Sequence, residues 1–451
     1  MHLNRSFAFL RYPEAGSNTN PDDNYLNNAD AATKVVQSLG KMGVKYFLVI
    51  AGRWETIEDY RTIAAAIQAA GLQFFSNERW SWEDAINEQD HFDAAKYLEN
   101  RVKRLLIPLK LEFPSTFIGF HFKDEPGLAH LDGLGELKAC LSNQPEFQGM
   151  KVFLNLLPIH ANYEALSGLA PNSGDSRPPS AFGVDCSSDS IKNREMAREM
   201  VQGYGMYARR ATEKVRPDYL SFDLYPFLGD LAHCKAAREL TVSENLSVVS
   251  LMGQLASITP VAYLQNVQLK NDFYANFHHL RWFVSWALAF GIQEFANFIS
   301  HNSLIDDNGL CDIGLLDARN DETKLASDLL SVFGFLRHIQ YELSTFQYRR
   351  LVAPFLGVES GDIVGWLPSP DVLAGEYFSD NPTQAMVFFA RRSIEGTVQT
   401  TMGLSKWFDK IEQLNVSTGQ WDLIARSLNS INISLNDFPG ALYRLTKSEG
   451  V

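Results

Sequence analysis

Thr116-Phe-Ile-Gly-Phe-His-Phe-Lys-Asp-Glu-Pro126 runs from an apolar segment straight into two acids and a proline. Strands buried on both faces read as near-continuous apolar runs, and Phe117–Phe122 has that texture. Similar runs lie on either side of it: Ser6–Tyr12, Val44–Gly52, Leu72–Asn77, Met150–Pro158, Tyr219–Phe227, Pro260–Gln265 and Ile292–Ser300. Helical patterns separate them, at Tyr25–Met42, Ile57–Ala70, Phe92–Leu109, Leu131–Leu141, Ile191–Val215, Ser243–Ile258 and Tyr274–Phe290. Gly43, Gly71 and Gly291 stand at helix exits, where a left-handed cap costs glycine little. Repeated strand–helix alternation implies a parallel sheet. Eight runs over about 300 residues match an α/β fold of the (β/α)8 TIM-barrel type. The alternative is an open doubly wound sheet, but no GxGxxG or GxxxxGK[ST] follows any run.

Beyond a helical stretch at Glu322–Phe346, expected to close or buttress the barrel, the texture changes. Short alternating segments follow at Asp362–Leu367, Ala385–Arg391, Gly396–Thr401, Lys410–Asn415, Trp421–Ala425, Ser430–Leu435 and Ala441–Leu445. Short strands between turn clusters predict a smaller C-terminal antiparallel β-sandwich. The expected domains are a barrel over 1–345 and a β-sandwich over 346–451. A long Pro-, Ser-, Gly- and Asn-rich insertion, Ile159–Asp189, follows the fifth run, and in a barrel it would rise from the face that carries active sites.

The chain has 451 residues, 45% hydrophobic and 12% aromatic, with 40 Lys+Arg against 53 Asp+Glu for a net charge of −13. That balance disfavours nucleic acid and anionic membrane surfaces, which need an excess of Lys and Arg. No apolar run approaches the roughly 18–20 residues of a membrane span. Met1-His-Leu-Asn-Arg lacks the charged–apolar–small pattern of a signal, so the expectation is a cytoplasmic chain or a secreted one whose leader has been removed. The four cysteines, Cys140, Cys186, Cys234 and Cys311, are expected mainly as thiols, with two disulfides as the alternative. No HExxH, EF-hand or zinc spacing appears, and no cofactor is expected.

Chemistry concentrates at the ends of the fourth and sixth runs. Pro126 disfavours helical geometry at Glu125 and keeps the segment extended. Neighbouring strand residues point to opposite faces, so only one of Asp124 and Glu125 is expected to aim into the barrel. A carboxyl among Phe120, Phe122 and Pro126 suits a general acid with a raised pKa; otherwise the pair merely caps the next helix. In Ser221-Phe-Asp-Leu-Tyr-Pro-Phe227, Asp223 is an acid among apolar residues and should face a polar cavity or a hydrogen-bond donor.

Phe122-Lys-Asp-Glu-Pro126, Phe153-Leu-Asn-Leu-Leu-Pro158, Ser221–Phe227, Pro260–Val267 and Arg281–Phe298, in that order, resemble a glycoside-hydrolase-like barrel family. That family has an Asp-Glu-Pro motif at strand four and is related to the clan A and β-galactosidase-type glycosidases. The resemblance implies hydrolysis of an oligosaccharide or polysaccharide, with the acid/base at the end of strand four. Glu125 matches that place, with Asp124 where the family commonly has Asn. Clan A enzymes carry a second Glu at the end of strand seven, where this chain reads Tyr263-Leu-Gln265-Asn266 without a carboxylate. Two carboxyl groups are normally needed. Asp223, Glu78 and Glu294 are the candidates, Asp223 first. Glu78 can also line the site or pair with Arg79. Trp54, Trp80, Trp82, Asn155, Tyr225, Gln265, Asn297 and His301 are the expected sugar-binding or orienting residues. His121 is expected to be structural. The missing strand-seven acid keeps a second expectation open, a catalytically inactive carbohydrate-binding barrel.

Overall fold

The computed structural model describes residues 6–10, 25–49, 56–78, 92–161, 165–166, 191–228, 230–268, 273–301, 313–436 and 438–447. The chain divides into two compact units, one made of Arg5–Tyr274 and Glu294–Ala326, the other gathering Ala275–Gln293 with Ser327–Val451.

In the first unit, β1 (Ser6–Leu10), β2 (Val44–Val49), β3 (Gln73–Asn77), β4 (Phe117–His121), β5 (Lys151–Leu156), β6 (Tyr219–Phe222), β7 (Thr259–Gln265) and β8 (Glu294–Phe298) form a closed barrel in chain order. All neighbours are parallel, and β1 pairs with both β2 and β8 to close the ring. The eight apolar runs are therefore the eight staves. Inward-facing side chains fill the ring as a packed core, not a pore. Phe7, Tyr46, Leu48, Phe75, Phe153, Val261, Tyr263 and Ala296 form this core. The Phe7 ring lies 4.9 Å from the rings of both Tyr46 and Phe153.

Gly119 on β4 gives the Phe75 ring its room, because a Cβ there would overlap that ring and the Lys151 carbonyl. Gly119→Ala is expected to destabilise the protein by about 1–3 kcal/mol through overpacking. Urea denaturation is the measurement, and an unchanged midpoint would refute the tight fit.

The second unit carries β9 (Gln347–Val352), β10 (Val364–Trp366), β11 (Val372–Phe378), β12 (Gln384–Arg391), β13 (Val398–Asn415), β14 (Gln420–Leu435) and β15 (Gly440–Thr446). They make one antiparallel sheet in the order β10-β13-β15-β12-β11-β9, with β14 paired to β13. Residues from all seven strands meet in a single apolar core. The layers of the expected sandwich thus belong to one hydrogen-bonded sheet around that core. The 345/346 boundary expected from sequence falls between the helix Lys324–Leu343 and β9.

Two pairs of segments expected as separate strands are single long strands. Gly396–Thr401 with Lys410–Asn415 falls in β13, and Trp421–Ala425 with Ser430–Leu435 in β14. Register shifts between Gly403 and Phe408 and between Ile411 and Glu412 interrupt the alternation without ending the pairing. β11 escaped notice because Gly375 and Glu376 sit inside it. Glu376 is fully buried, and its carboxylate accepts the N–H groups of Asp362, Ile363 and Val364 at 2.7–2.9 Å. The helix Phe277–Ala289 packs in this unit, where Trp282 and Trp286 donate their indole N–H to the carbonyls of Arg392 and Arg391.

The expectation of free thiols holds for buried Cys140 and fails for Cys234, which is disulfide-bonded to a cysteine outside the described residues. The wide sequence spacing of the cysteines hid a pairing that depends on the fold.

Candidate active site

The C-terminal ends of β4, β5 and β6 are hydrogen-bonded beyond the strands themselves. The N–H of Phe122 donates to Phe153 O, that of Glu125 to Asn155 O and that of Asp223 to Leu156 O, at 3.0–3.1 Å. These bonds carry Asp124, Glu125 and Asp223 to the same rim. Asn155, on β5, lies between them. Its Oδ1 accepts the Ser221 hydroxyl at 2.7 Å, which turns Nδ2 toward Asp124 Oδ1 at 2.8 Å and toward Asp223. The Tyr225 hydroxyl donates to Asp223 Oδ1 at 3.2 Å. Four sequence candidates, Glu125, Asp223, Asn155 and Tyr225, therefore share one cluster.

Glu125 is not extended. Its φ is +47°, in the left-handed region that costs a non-glycine residue about 1–3 kcal/mol. Pro126 closes the right-handed helical region to it, and the chain takes the left-handed alternative. β4 ends at His121, before the two acids, and the charges of Asp124 and Glu125 both act on Asp223. Asp124 thus joins the site as a third acid. Behind the turn, the Tyr207 hydroxyl donates to Pro126 O at 2.6 Å and accepts the Leu157 N–H at 3.3 Å.

Enclosure in the barrel mouth raises the Asp223 carboxyl well above the usual carboxylate range, and the charges of Asp124 and Glu125 push the same way. Hydrogen bonds from Asn155 and Tyr225 oppose the rise. Tyr263 on β7 is 1% exposed, and its hydroxyl has no hydrogen bond among the described residues. Burial raises it well above its usual value, and Asp223, Asp124 and Glu125 add to that. No motif marks this tyrosine in the sequence, although it shares the parity of Gln265 on the same strand.

The remaining candidates lie elsewhere. Glu78 is fully buried after β3, where its carboxylate accepts the hydroxyls of Ser76 and Tyr97 and is clasped by the Arg101 guanidinium at 3.0–3.1 Å. Its partner is thus Arg101, carried by the helical stretch Leu98–Leu106, and its lone pairs are committed within the protein. Gln265 is buried, with Oε1 accepting the Phe227 N–H at 2.9 Å, so it holds the loop after β6. Asn297 donates to Phe7 O and accepts from Asn266 inside the wall of the barrel. His301 bonds to Ser300 and Asn320 and stacks on Tyr25. Glu294 is buried on β8, and His121 on β4 lies against the Phe153 ring. Trp54, Trp80, Trp82, Arg79 and most of the Ile159–Asp189 insertion lie outside the described residues. Among the described residues, no group of three His, Cys, Asp or Glu side chains could hold a metal ion.

No family model matches the chain, and no curated protein matches it in sequence. Solved structures with a similar backbone exist. One is a family 51 α-L-arabinofuranosidase from Bifidobacterium longum, at 10% identity and a TM-score of 0.43, covering 99% of this chain and 96% of that one. A putative α-L-fucosidase from Bacteroides thetaiotaomicron has 9% identity and a TM-score of 0.42, covering 66% of this chain and 86% of that one. A bifunctional glucanase-xylanase from a metagenome library has 10% identity and a TM-score of 0.41, covering 92% and 94%. At such identities no residue role passes from one chain to the other.

The raised Asp223 carboxyl has a stability consequence. An acid whose folded pKa lies above its unfolded value stabilises the fold below the unfolded value, and that contribution is lost as pH rises through the folded one. Wild type should therefore lose stability from pH 4 upward through the range in which Asp223 ionises, and Asp223→Asn should flatten that part of the curve. Thermal midpoints from pH 4 to 9 test this. Parallel curves for the two proteins would show that Asp223 is not the group that titrates.

Proposed function

We propose that this chain is a glycoside hydrolase whose working carboxyl groups are Glu125 and Asp223. The observation that carries the proposal is the meeting of Asp124 and Asp223 at the Asn155 amide, with the Glu125 N–H bonded to the Asn155 carbonyl beside them. A glycosidic bond is broken when one acid protonates the leaving oxygen and a second, ionised group stabilises or attacks the positive centre. Asp223, whose carboxyl is raised by enclosure and by two neighbouring acids, suits the donor role that the sequence pattern gives to Glu125. Glu125 then supplies the ionised carboxylate. Asn155 keeps the two acidic strand ends in register, and Tyr225 orients Asp223. The Tyr263 hydroxyl has no partner among the described residues and suits a sugar hydroxyl or the attacking water.

The test is a screen of aryl glycosides and plant and bacterial oligosaccharides with purified protein, following released reducing ends. Turnover of at least one substrate supports the proposal. One observation favours the binding-only alternative: the strand-seven position holds Gln265, whose amide oxygen is already bonded to Phe227 N–H. Calorimetric binding of an oligosaccharide that is never cleaved over long incubation would establish that reading and end the first.

A further inference from the structure

At the opposite end of the barrel, where β5, β6 and β7 begin, Lys151, Thr212, Arg216, Asp218, Ser257 and Thr259 help to line a cavity of about 490 Å³. Its charges do not balance internally. Both carboxylate oxygens of Asp218 have a partner, with Oδ1 paired to Lys151 Nζ at 2.8 Å and Oδ2 accepting the Val152 N–H at 2.9 Å. Lys138 Nζ donates to the Arg216 carbonyl. The Arg216 guanidinium itself has no hydrogen bond or ion pair among the described residues, and the residue is exposed to the cavity rim. Burial pushes Lys138 below the usual lysine value. Asp218 opposes that shift, while Arg216 and Lys151 add to it, so cationic charge is crowded here.

The backbone adds a second observation. The cavity lies where the helices Ile191–Lys214 and Lys235–Ala256 end, and Arg216 and Ser257 both turn left-handed there, at φ +50° and +55°. Glycine ordinarily takes such places, because a side chain is strained there. A long cation therefore stands at the rim where glycine would be more stable. Neutralising the carbonyls of helix ends accounts for Lys138. It does not account for a guanidinium that bonds to no carbonyl among the described residues.

We propose that this cavity binds a small molecule bearing a phosphate- or sulfate-type dianion, with Arg216 and Lys151 gripping the charged group. A guanidinium offers paired donors to such an oxyanion, and an ammonium offers a compact charge beside it. The cavity is in the size range of small-molecule sites, so it has room for the body of a ligand beside its anion. The proposal is independent of the chemistry at the other end of the barrel.

Isothermal titration of the full chain tests it, with inorganic phosphate, inorganic sulfate, glucose 6-phosphate and glucose as probes and ionic strength held constant with sodium chloride. Saturable binding of phosphate or sulfate is expected, with glucose 6-phosphate tighter than inorganic phosphate and glucose silent. Arg216→Gly removes the guanidinium and relieves the left-handed strain, so the variant should melt at or above the wild-type temperature. It should also weaken anion binding roughly ten- to a hundredfold. No saturable heat with any anion, equal binding by wild type and Arg216→Gly, or glucose binding as well as glucose 6-phosphate would each overturn the assignment.

Discussion

Asp223→Asn is expected to lower kcat for an unactivated oligosaccharide by about 10²–10⁴-fold, the usual contribution of a positioned proton donor. Hydrolysis of a dinitrophenyl glycoside should fall far less, because that leaving group departs without protonation. Glu125→Gln should depress both substrates together, since the ionised carboxylate is needed whatever the leaving group. This contrast separates the two roles. Asp223 is enclosed and beside two other acids, which raises its carboxyl well above the usual carboxylate range and suits it to proton donation. The opposite pattern, with Glu125→Gln sparing the activated substrate, would return the donor role to Glu125. Equal turnover by wild type and both variants would remove these carboxyl groups from the chemistry altogether.

The second large effect concerns stability. Arg101→Met should cost about 3–5 kcal/mol, because it leaves the fully buried Glu78 carboxylate without its cation. Ser76 and Tyr97 would remain as donors to that carboxylate. The double variant Glu78→Gln/Arg101→Met should recover a substantial part of the loss, since it removes the stranded charge along with its partner. Equilibrium unfolding in urea measures both. A loss under 1 kcal/mol for Arg101→Met would show that the pair contributes little.

The barrel was legible because the staves are near-continuous apolar runs, and the expected Ser6–Tyr12 and Phe117–Phe122 end within a residue or two of β1 and β4. The runs overshoot at the mouth, where Leu224 and Phe227 after β6 are as buried as the strand before them. Burial, not pairing, sets composition there. Glu125 and Asp223 could be found by place alone, as acids at the ends of apolar strands. Glu78 has the same local signature, yet its partner Arg101 comes from the next helix, and no local pattern distinguishes a carboxylate clasped by a distant guanidinium from one facing a cavity. Strand alternation does not decide between Asp124 and Glu125, because that rule stops applying where the strand stops. The orientation of Asn155 depends on Ser221, which lies beside it only once β5 and β6 have paired.

The helix Phe277–Ala289 lies in the chain between β7 and β8 but takes its indole acceptors from Arg391, the last residue of β12, and from Arg392 just after it. A ribosome therefore delivers the last stave long before that helix has its indole acceptors. Neither unit is one uninterrupted piece of chain, so trimming the gene at codon 345 would not release a self-sufficient barrel. It would expose two tryptophans made to be covered, and such a fragment is expected to collect in inclusion bodies.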